Sequence, residues 1–188
     1  MAGGRHLTLA ELEAGLDTIR RSPRDEGTLT LIVRRPAIGE REVLAAAELD
    51  SEDGLVGDTW RSRGSRYTAD GAAHPEMQIN IMNARAVALV AHDPSRRPLA
   101  GDQLFIDLDL SEDNLPPGTW LAVGTAVLQI TPVPHTGCVK FKARFGADAV
   151  KFVNSPVGKQ LRLRGLNARV LQSGSVRAGD VVRKVPGE

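Results

Sequence analysis

Cysteine is nearly absent from this chain: its 188 residues include one, Cys138. A single cysteine excludes an intramolecular disulfide, and it equally excludes an all-thiolate zinc site or an iron–sulfur cluster held by this chain alone. If the protein performs redox chemistry, its electrons must therefore come from a separate source.

Aromatic residues and net charge are also scarce, at 4% and +1. So few aromatics do not make a stacking platform for single-stranded nucleic acid, and so little net charge gives no field that recruits polyanions or anionic membranes. The longest mostly apolar run, Thr119–Ile130, is far shorter than the roughly 20 residues that span a bilayer. Glu11 and Glu13 interrupt the stretch where a signal peptide needs apolar residues. We therefore expect a cytoplasmic protein that binds neither nucleic acid nor membrane.

The chain length predicts one domain over residues 1–188, because domains typically have about 100–200 residues. Leucine and isoleucine recur at spacings of three and four over residues 8–20, with Thr8 and Glu11 placed as a capping box, which predicts an N-terminal amphipathic helix. The short β-branched run at 28–33 predicts a strand, and further strands are expected at 42–49, after the Ile38-Gly39 turn, and at 78–82. Asn83 is placed to cap a helix over 84–91. The glycine-rich polar stretch 50–76 is typical of a long functional loop.

The second half of the chain has the pattern of a β-protein. Short, closely spaced strands are predicted between Leu99 and Ile130, which favours a barrel or a sandwich. A helical insertion is expected after Cys138. Residues 168–171 and 181–185 flank a glycine-rich turn, closed by Gly179 and Asp180, and predict a terminal hairpin.

The segment 131–141, TPVPHTGCVKF, carries the strongest chemical signal. Its two prolines leave the strand ladder and Gly137 permits close backbone approach, so Cys138 is presented from a turn. His135, Lys140 and Arg144 are close in sequence, and positive charge favours the thiolate, the form that binds soft metals or attacks electrophiles. The alternative is that Cys138 is a small buried hydrophobe.

HTGCVKF, RFGADAVKFVNS and LRLRGLNARVLQSGSVRAGDVV, together with GLVGDTW at residues 54–60, resemble the MOSC family, named after the C-terminal domain of molybdenum cofactor sulfurase. The resemblance covers roughly residues 28–185. It implies a mainly β fold, a closed β-barrel with peripheral α-helices.

The same resemblance implies a site for the molybdenum cofactor, a pterin dithiolene with a phosphate. Cys138 would then ligate molybdenum in an oxidoreductase acting on small N-oxygenated substrates, which needs a separate electron-donor protein. Alternatively, Cys138 carries sulfur as a persulfide in a sulfurtransferase, or the chain is a non-catalytic cofactor carrier. No lysine lies in a context that favours a Schiff base, so pyridoxal phosphate is not expected.

Beside Cys138, we expect His135 to act in catalysis, by donating to a cofactor oxygen or polarising the thiol, unless it is structural. Asp58 would orient a pterin amine or simply close a turn. The candidates for contacting the cofactor are Asp58, Arg61, Arg63, Arg66, Thr136, Lys140 and Arg144. The alternative for the basic residues among them is a solvated basic loop. Arg35, Arg162, Arg164 and Arg169 are further candidates for the cofactor phosphate.

Overall fold

The computed structural model describes residues 5–187. The strands are β1 (Glu26–Arg34), β2 (Glu42–Leu44), β3 (Ala46–Asp50), β4 (Gly54–Leu55), β5 (Ile79–Asn83), β6 (Leu104–Asp107), β7 (Trp120–Val123), β8 (Ala126–Ile130), β9 (Leu166–Gln172), β10 (Gly174–Arg177) and β11 (Val181–Val185). The helices are α1 (Leu9–Ala14), α2 (Leu16–Arg20), α3 (Trp60–Arg63), α4 (Ala84–Ala91), α5 (Val139–Phe145), α6 (Ala147–Asn154) and α7 (Pro156–Gln160), with 3₁₀ turns at Pro75–Met77 and Pro94–Ala100.

A closed barrel forms the centre of the described chain. Its seven strands follow the order β11-β7-β8-β9-β5-β6-β1, and β1 pairs back onto β11 with Gly27 opposite Val182. Strands β5 and β6 pair in parallel, joined by a crossover through α4, and the other barrel pairs are antiparallel. A small sheet of β10, β3 and β4 lies beside the barrel. The predicted closed β-barrel with peripheral helices is confirmed.

Two apolar layers hold the barrel and its helices together. Alternate residues of β8, such as Leu128 and Ile130, fill the barrel interior, whereas β5 is buried on both faces. Met82 and Phe105 lie in the second layer, which also contains residues from α1, α4, α5 and α6. This second layer seats α5, the helix that follows Cys138.

The N-terminal helix differs in detail from its prediction. Thr8 and Glu11 do form the expected capping box, but Gly15 separates α1 from α2, so the helix predicted over 8–20 is two short helices. A Cβ on Gly15 would lie 2.5 Å from Cδ2 of Leu89 on α4. A larger residue at the junction would therefore have to displace the Leu89 side chain. Asn83 caps α4 as predicted, accepting the backbone N–H groups of Arg85 and Ala86.

The prediction of a terminal hairpin was wrong. Strand β9 pairs with β8 and β5, β10 pairs with β3, and β11 pairs with β7 and β1. The turn at Gly179 and Asp180 therefore joins strands of two different sheets, because barrel closure takes β11 away from its neighbours in sequence.

Two further sequence predictions need correction. The single strand expected over 42–49 is divided into β2 and β3, which pair with different partners. The stretch 50–76 is not one continuous loop, since it contains β4 and α3. Within residues 5–187, no helix combines the length and apolar character needed to cross a membrane.

Candidate functional site

A positively charged cleft lies between the loop that follows β1, helix α3 and helix α5. Its volume is about 310 Å³, and we call it the cation cleft. The charged residues lining it are Arg35, Arg41, Arg63, Lys140 and Arg144. No carboxylate of the described chain lines it, so the cleft is built to receive a negative group.

Arg35 is held in place by a buried carboxylate. Its Nε lies 2.8 Å from Oδ2 of Asp58, its Nη2 lies 2.7 Å from Oδ1, and the Asp58 side chain is completely buried. Asp58 also accepts the backbone N–H groups of Arg35 and Trp60. The structure thus places Asp58 behind Arg35, where it compensates one buried cation.

The other four cations of the cleft form no ion pair within residues 5–187. Burial, reinforced by Arg144 and Arg35, lowers the pKa of Arg41 to about 10. Burial and Arg35 likewise lower the pKa of Arg63. A bound anion would relieve this mutual repulsion.

Arg41 and Arg144 converge on Gly101, which has a φ of +90°. A Cβ there would lie 3.3 Å from Nη2 of Arg41 and 3.4 Å from Nη1 of Arg144. Arg144 Nη1 also donates to the carbonyl of Leu99 at 2.7 Å. Both guanidinium groups therefore lie beside Gly101, and the hydrogen bond to Leu99 fixes that of Arg144.

Cys138 is exposed and immediately precedes α5. Lys140 and Arg144 are four residues apart, so they share the face of α5 that lines the cleft, while Phe141 is buried on another face. The single thiol is therefore presented at the start of the helix that supplies two of the cleft's cations.

The turn before Cys138 is clamped by α6. The N–H of Gly137 donates to Oδ1 of Asn154 at 2.9 Å, and Nδ2 of Asn154 donates to the Gly137 carbonyl at 3.1 Å. A Cβ at Gly137 would lie 2.9 Å from Cγ2 of Val153, so this close approach requires glycine.

His135 belongs to a buried polar network. Its Nε2–H donates to Oδ1 of Asp102 at 2.8 Å, and Nη1 of Arg164 lies 2.9 and 2.7 Å from the two oxygens of that carboxylate. Burial alone would raise the pKa of Asp102, but Arg164 and His135 bring it down to about 2. Burial, assisted by Arg164, lowers the pKa of His135 and favours the neutral ring. His135 lines a smaller cavity, of about 110 Å³, that is separate from the cation cleft.

The candidate residues from the sequence are partly brought together. Arg63, Lys140 and Arg144 line the cleft, and Arg66 lines the neighbouring cavity. Arg61 instead pairs at the surface with Asp53 and Glu52, and the exposed Thr136 lines neither cavity.

Sequence reasoning missed Arg41 and did not rank Arg35 or Arg164. Arg35 was named only as an unranked candidate for the phosphate, and Arg34-Arg35-Pro36 was interpreted only as the end of a strand. Asp102 was not considered as a partner of His135, because the two are 33 residues apart and nothing in the sequence pairs them.

The family model of the MOSC domain matches residues 73–183, more than half of the chain. The chain belongs to the MOSC domain family. The match includes Cys138, Lys140 and Arg144, whereas Arg35, Arg41 and Arg63 precede it. The family is associated with the molybdenum cofactor.

Solved structures support the same fold. The YuaD protein of Bacillus subtilis is similar with a TM-score of 0.60 and 14% identity, over 87% of this chain and 97% of that one. YiiM of Escherichia coli has a TM-score of 0.56 and 19% identity, over 86% and 71%. YiiM of Geobacillus stearothermophilus has a TM-score of 0.51 and 18% identity, over 87% and 74%. No curated protein matches the sequence.

Proposed function

We propose that this MOSC protein binds the molybdenum cofactor, with Cys138 as the metal ligand and the cofactor phosphate in the cation cleft. The observation that supports this most is the exposed thiol at the start of α5, whose Lys140 and Arg144 line a cleft of cations without carboxylates. Arginine fits phosphate by bidentate hydrogen bonding, and a thiolate fits a soft metal. The residues present therefore fit both ends of the cofactor.

Each part of the site has a separate task in this proposal. Arg41, Arg63, Lys140 and Arg144 bind the phosphate, and the Gly137–Asn154 clamp orients the sulfur of Cys138. The bound cofactor supplies oxygen-atom and electron transfer, which suits reduction of small N-oxygenated substrates. His135 is proposed to polarise the thiol through Nδ1, which is an acceptor because the neutral ring donates its Nε2–H to Asp102. A separate protein is proposed as the electron donor, because one cysteine cannot hold an iron–sulfur relay.

The test is to purify the protein from a host that makes the cofactor, and to measure molybdenum by mass spectrometry and pterin by fluorescence. Cys138→Ser is expected to lose molybdenum. Arg41→Gln is expected to lower pterin affinity about ten-fold or more, because a charge-assisted hydrogen bond contributes about 1.5–3 kcal/mol.

Arg61→Gln is the matched control, since Arg61 pairs at the surface and lies outside the cleft. It should retain both metal and pterin. Wild-type protein without molybdenum above background, or Cys138→Ser with unchanged molybdenum, would count against the proposal.

A second candidate is sulfur carriage, which the exposure of the single thiol favours. A persulfide on Cys138 would add the mass of one sulfur atom to the intact protein and would disappear on reduction, with or without molybdenum. A non-catalytic cofactor carrier would instead bind the cofactor tightly and turn over none of the N-oxygenated substrates.

A further inference from the structure

A second cavity adjoins the cation cleft and shares Arg63 and Lys140 with it. Its volume is about 350 Å³, and we call it the aromatic chamber. Tyr67, which is 63% exposed, and the half-buried Met77 supply flat or polarisable apolar surface, and Trp60, which is 7% exposed, lines the chamber from behind. Such surface suits a planar ring, and the volume is in the range of small-molecule sites.

The charged groups of the chamber are all positive: Arg63, Arg66 and Lys140 line it, and no Asp or Glu of the described chain does. Arg66 is positioned at the rim, because its Nη2 donates to Oη of Tyr67 at 2.7 Å and its guanidinium carbon lies 4.9 Å from the ring centroid. Within residues 5–187, none of the three cations has a carboxylate partner.

His74 adds a further donor to the chamber. Its Nδ1 accepts the backbone N–H of Glu76 at 3.2 Å, so in the neutral ring the proton is on Nε2. The chamber therefore combines aromatic surface with positive charge and an N–H donor. An ammonium or amidinium ligand would be repelled there. An anion would instead offset the repulsion between Arg63 and Arg35, which is the second cause, behind burial, of the lowered pKa of Arg63.

We propose that the aromatic chamber is the substrate subsite and that it takes a planar aromatic ring carrying a negative charge, such as a carboxylate. This deepens the proposed function, because it assigns a class to the N-oxygenated substrate. The binding step uses only Trp60, Tyr67, Arg66 and the shared cations, so it can be measured on protein without cofactor.

The indole of Trp60 provides a built-in reporter. Its Nε1 is buried and has no hydrogen-bond partner in the described chain, while Trp120, the other tryptophan, lies on β7 and does not line the chamber. In a ¹⁵N–¹H correlation spectrum the two indole signals can be assigned with Trp120→Phe. A ligand in the chamber should shift the signal of Trp60 and leave that of Trp120 in place.

Three probes of matched shape separate charge from ring stacking: pyridine N-oxides with a carboxylate, a neutral amide or an aminomethyl cation at position 3. We expect the carboxylate to shift the Trp60 signal at the lowest concentration, the amide at a higher one and the cation not at all. Equal affinity for the three probes, no shift with any probe, or equal shifts of both indoles would overturn the proposal.

Arg66→Gln tests the positive charge directly, since Arg66 lines the chamber but not the cation cleft. It should lower carboxylate affinity about three-fold, as expected for an exposed charge pair, and leave amide affinity unchanged. Arg61→Gln, five residues earlier and outside the chamber, should change neither affinity.

The two proposals fail separately. If the chain never acquires molybdenum, the proposed function is contradicted, whereas shifts of the Trp60 signal with the carboxylate would still show that the chamber binds aromatic anions. Loss of bound pterin in Arg66→Gln would show that the chamber holds the cofactor, and would overturn the subsite.

Discussion

The buried carboxylate of Asp102 compensates a buried arginine. Its side chain is completely buried, and the Arg164 side chain that it neutralises is 7% exposed. Asp102→Asn keeps the shape of the side chain but leaves the Arg164 guanidinium as an uncompensated buried charge. Removing one partner of a buried ion pair costs about 3–5 kcal/mol of stability.

The depressed pKa of Asp102 gives a second estimate of this loss. Its pKa falls from 3.8 to about 2 on folding. At about 1.4 kcal/mol for each pKa unit, the ionised form contributes about 2 kcal/mol above pH 4. Because Asn retains one acceptor for Arg164 or His135, we expect a loss near the lower values, about 2–3 kcal/mol. Urea unfolding at pH 7 should show it as a midpoint lowered by about 1 M or more.

The pH dependence distinguishes this mechanism from simple misfolding. A carboxylate with a depressed pKa stabilises the protein above its unfolded pKa, and the contribution disappears as pH falls through the folded pKa. The difference between wild type and Asp102→Asn should therefore persist from pH 7 to about 4 and shrink between about 4 and 2. Asp53→Asn, at a surface pair with Arg61, is the control and should be neutral within about 0.5 kcal/mol. A similarly neutral Asp102→Asn, or a difference that stays constant down to pH 2, would refute the reasoning.

Two other substitutions test the surroundings of this network. The folded protein holds the pKa of His135 below its usual 6.5, so the unfolded chain binds the proton more readily and wild-type stability should fall as pH drops below 6.5. His135→Gln should reduce this dependence of stability on pH, measured by urea unfolding. An unchanged dependence would show that His135 is not the group responsible. Gly165→Ala should lower stability by at least about 2 kcal/mol in thermal unfolding, because φ is +113° and the new Cβ would lie 2.3 Å from the carbonyl oxygen of Ile81. Gly179→Ala has a positive φ and open space, so it should lose less; equal losses for the two would exclude the contact with Ile81 as the cause.

Local signals predicted the local elements well. The capping residues Thr8 and Asn83 were predicted correctly because a cap forms between residues two or three positions apart, when a side-chain oxygen accepts a backbone N–H from the first turn of the helix. The short strand patterns between Leu99 and Ile130 and the prolines before Cys138 likewise act over a few residues. They favoured a barrel or a sandwich and a thiol presented from a turn, and the resemblance to the MOSC family then implied the closed barrel.

The prediction of a terminal hairpin was wrong because the pairing of β11 depends on residues that are far away in the chain. Sequence proximity favours pairing of successive strands, but β11 gains its partners from β1 and β7, which are distant in the chain. Closing a sheet into a barrel satisfies every strand edge at once, and this global requirement overrides the local turn.

The composition indicated an ordinary folded core, the segment around Cys138 indicated a thiol presented from a turn, and the resemblance to the MOSC family implied the closed barrel. They could not say which cations surround a ligand, because Arg41 meets Arg144 only where the chain folds back across Gly101. Nor could they pair Asp102 with His135 and Arg164, or separate Arg61 from Arg63 two residues later. Charge–charge energies depend on distance and burial, and both quantities exist only once strands far apart in sequence have packed together.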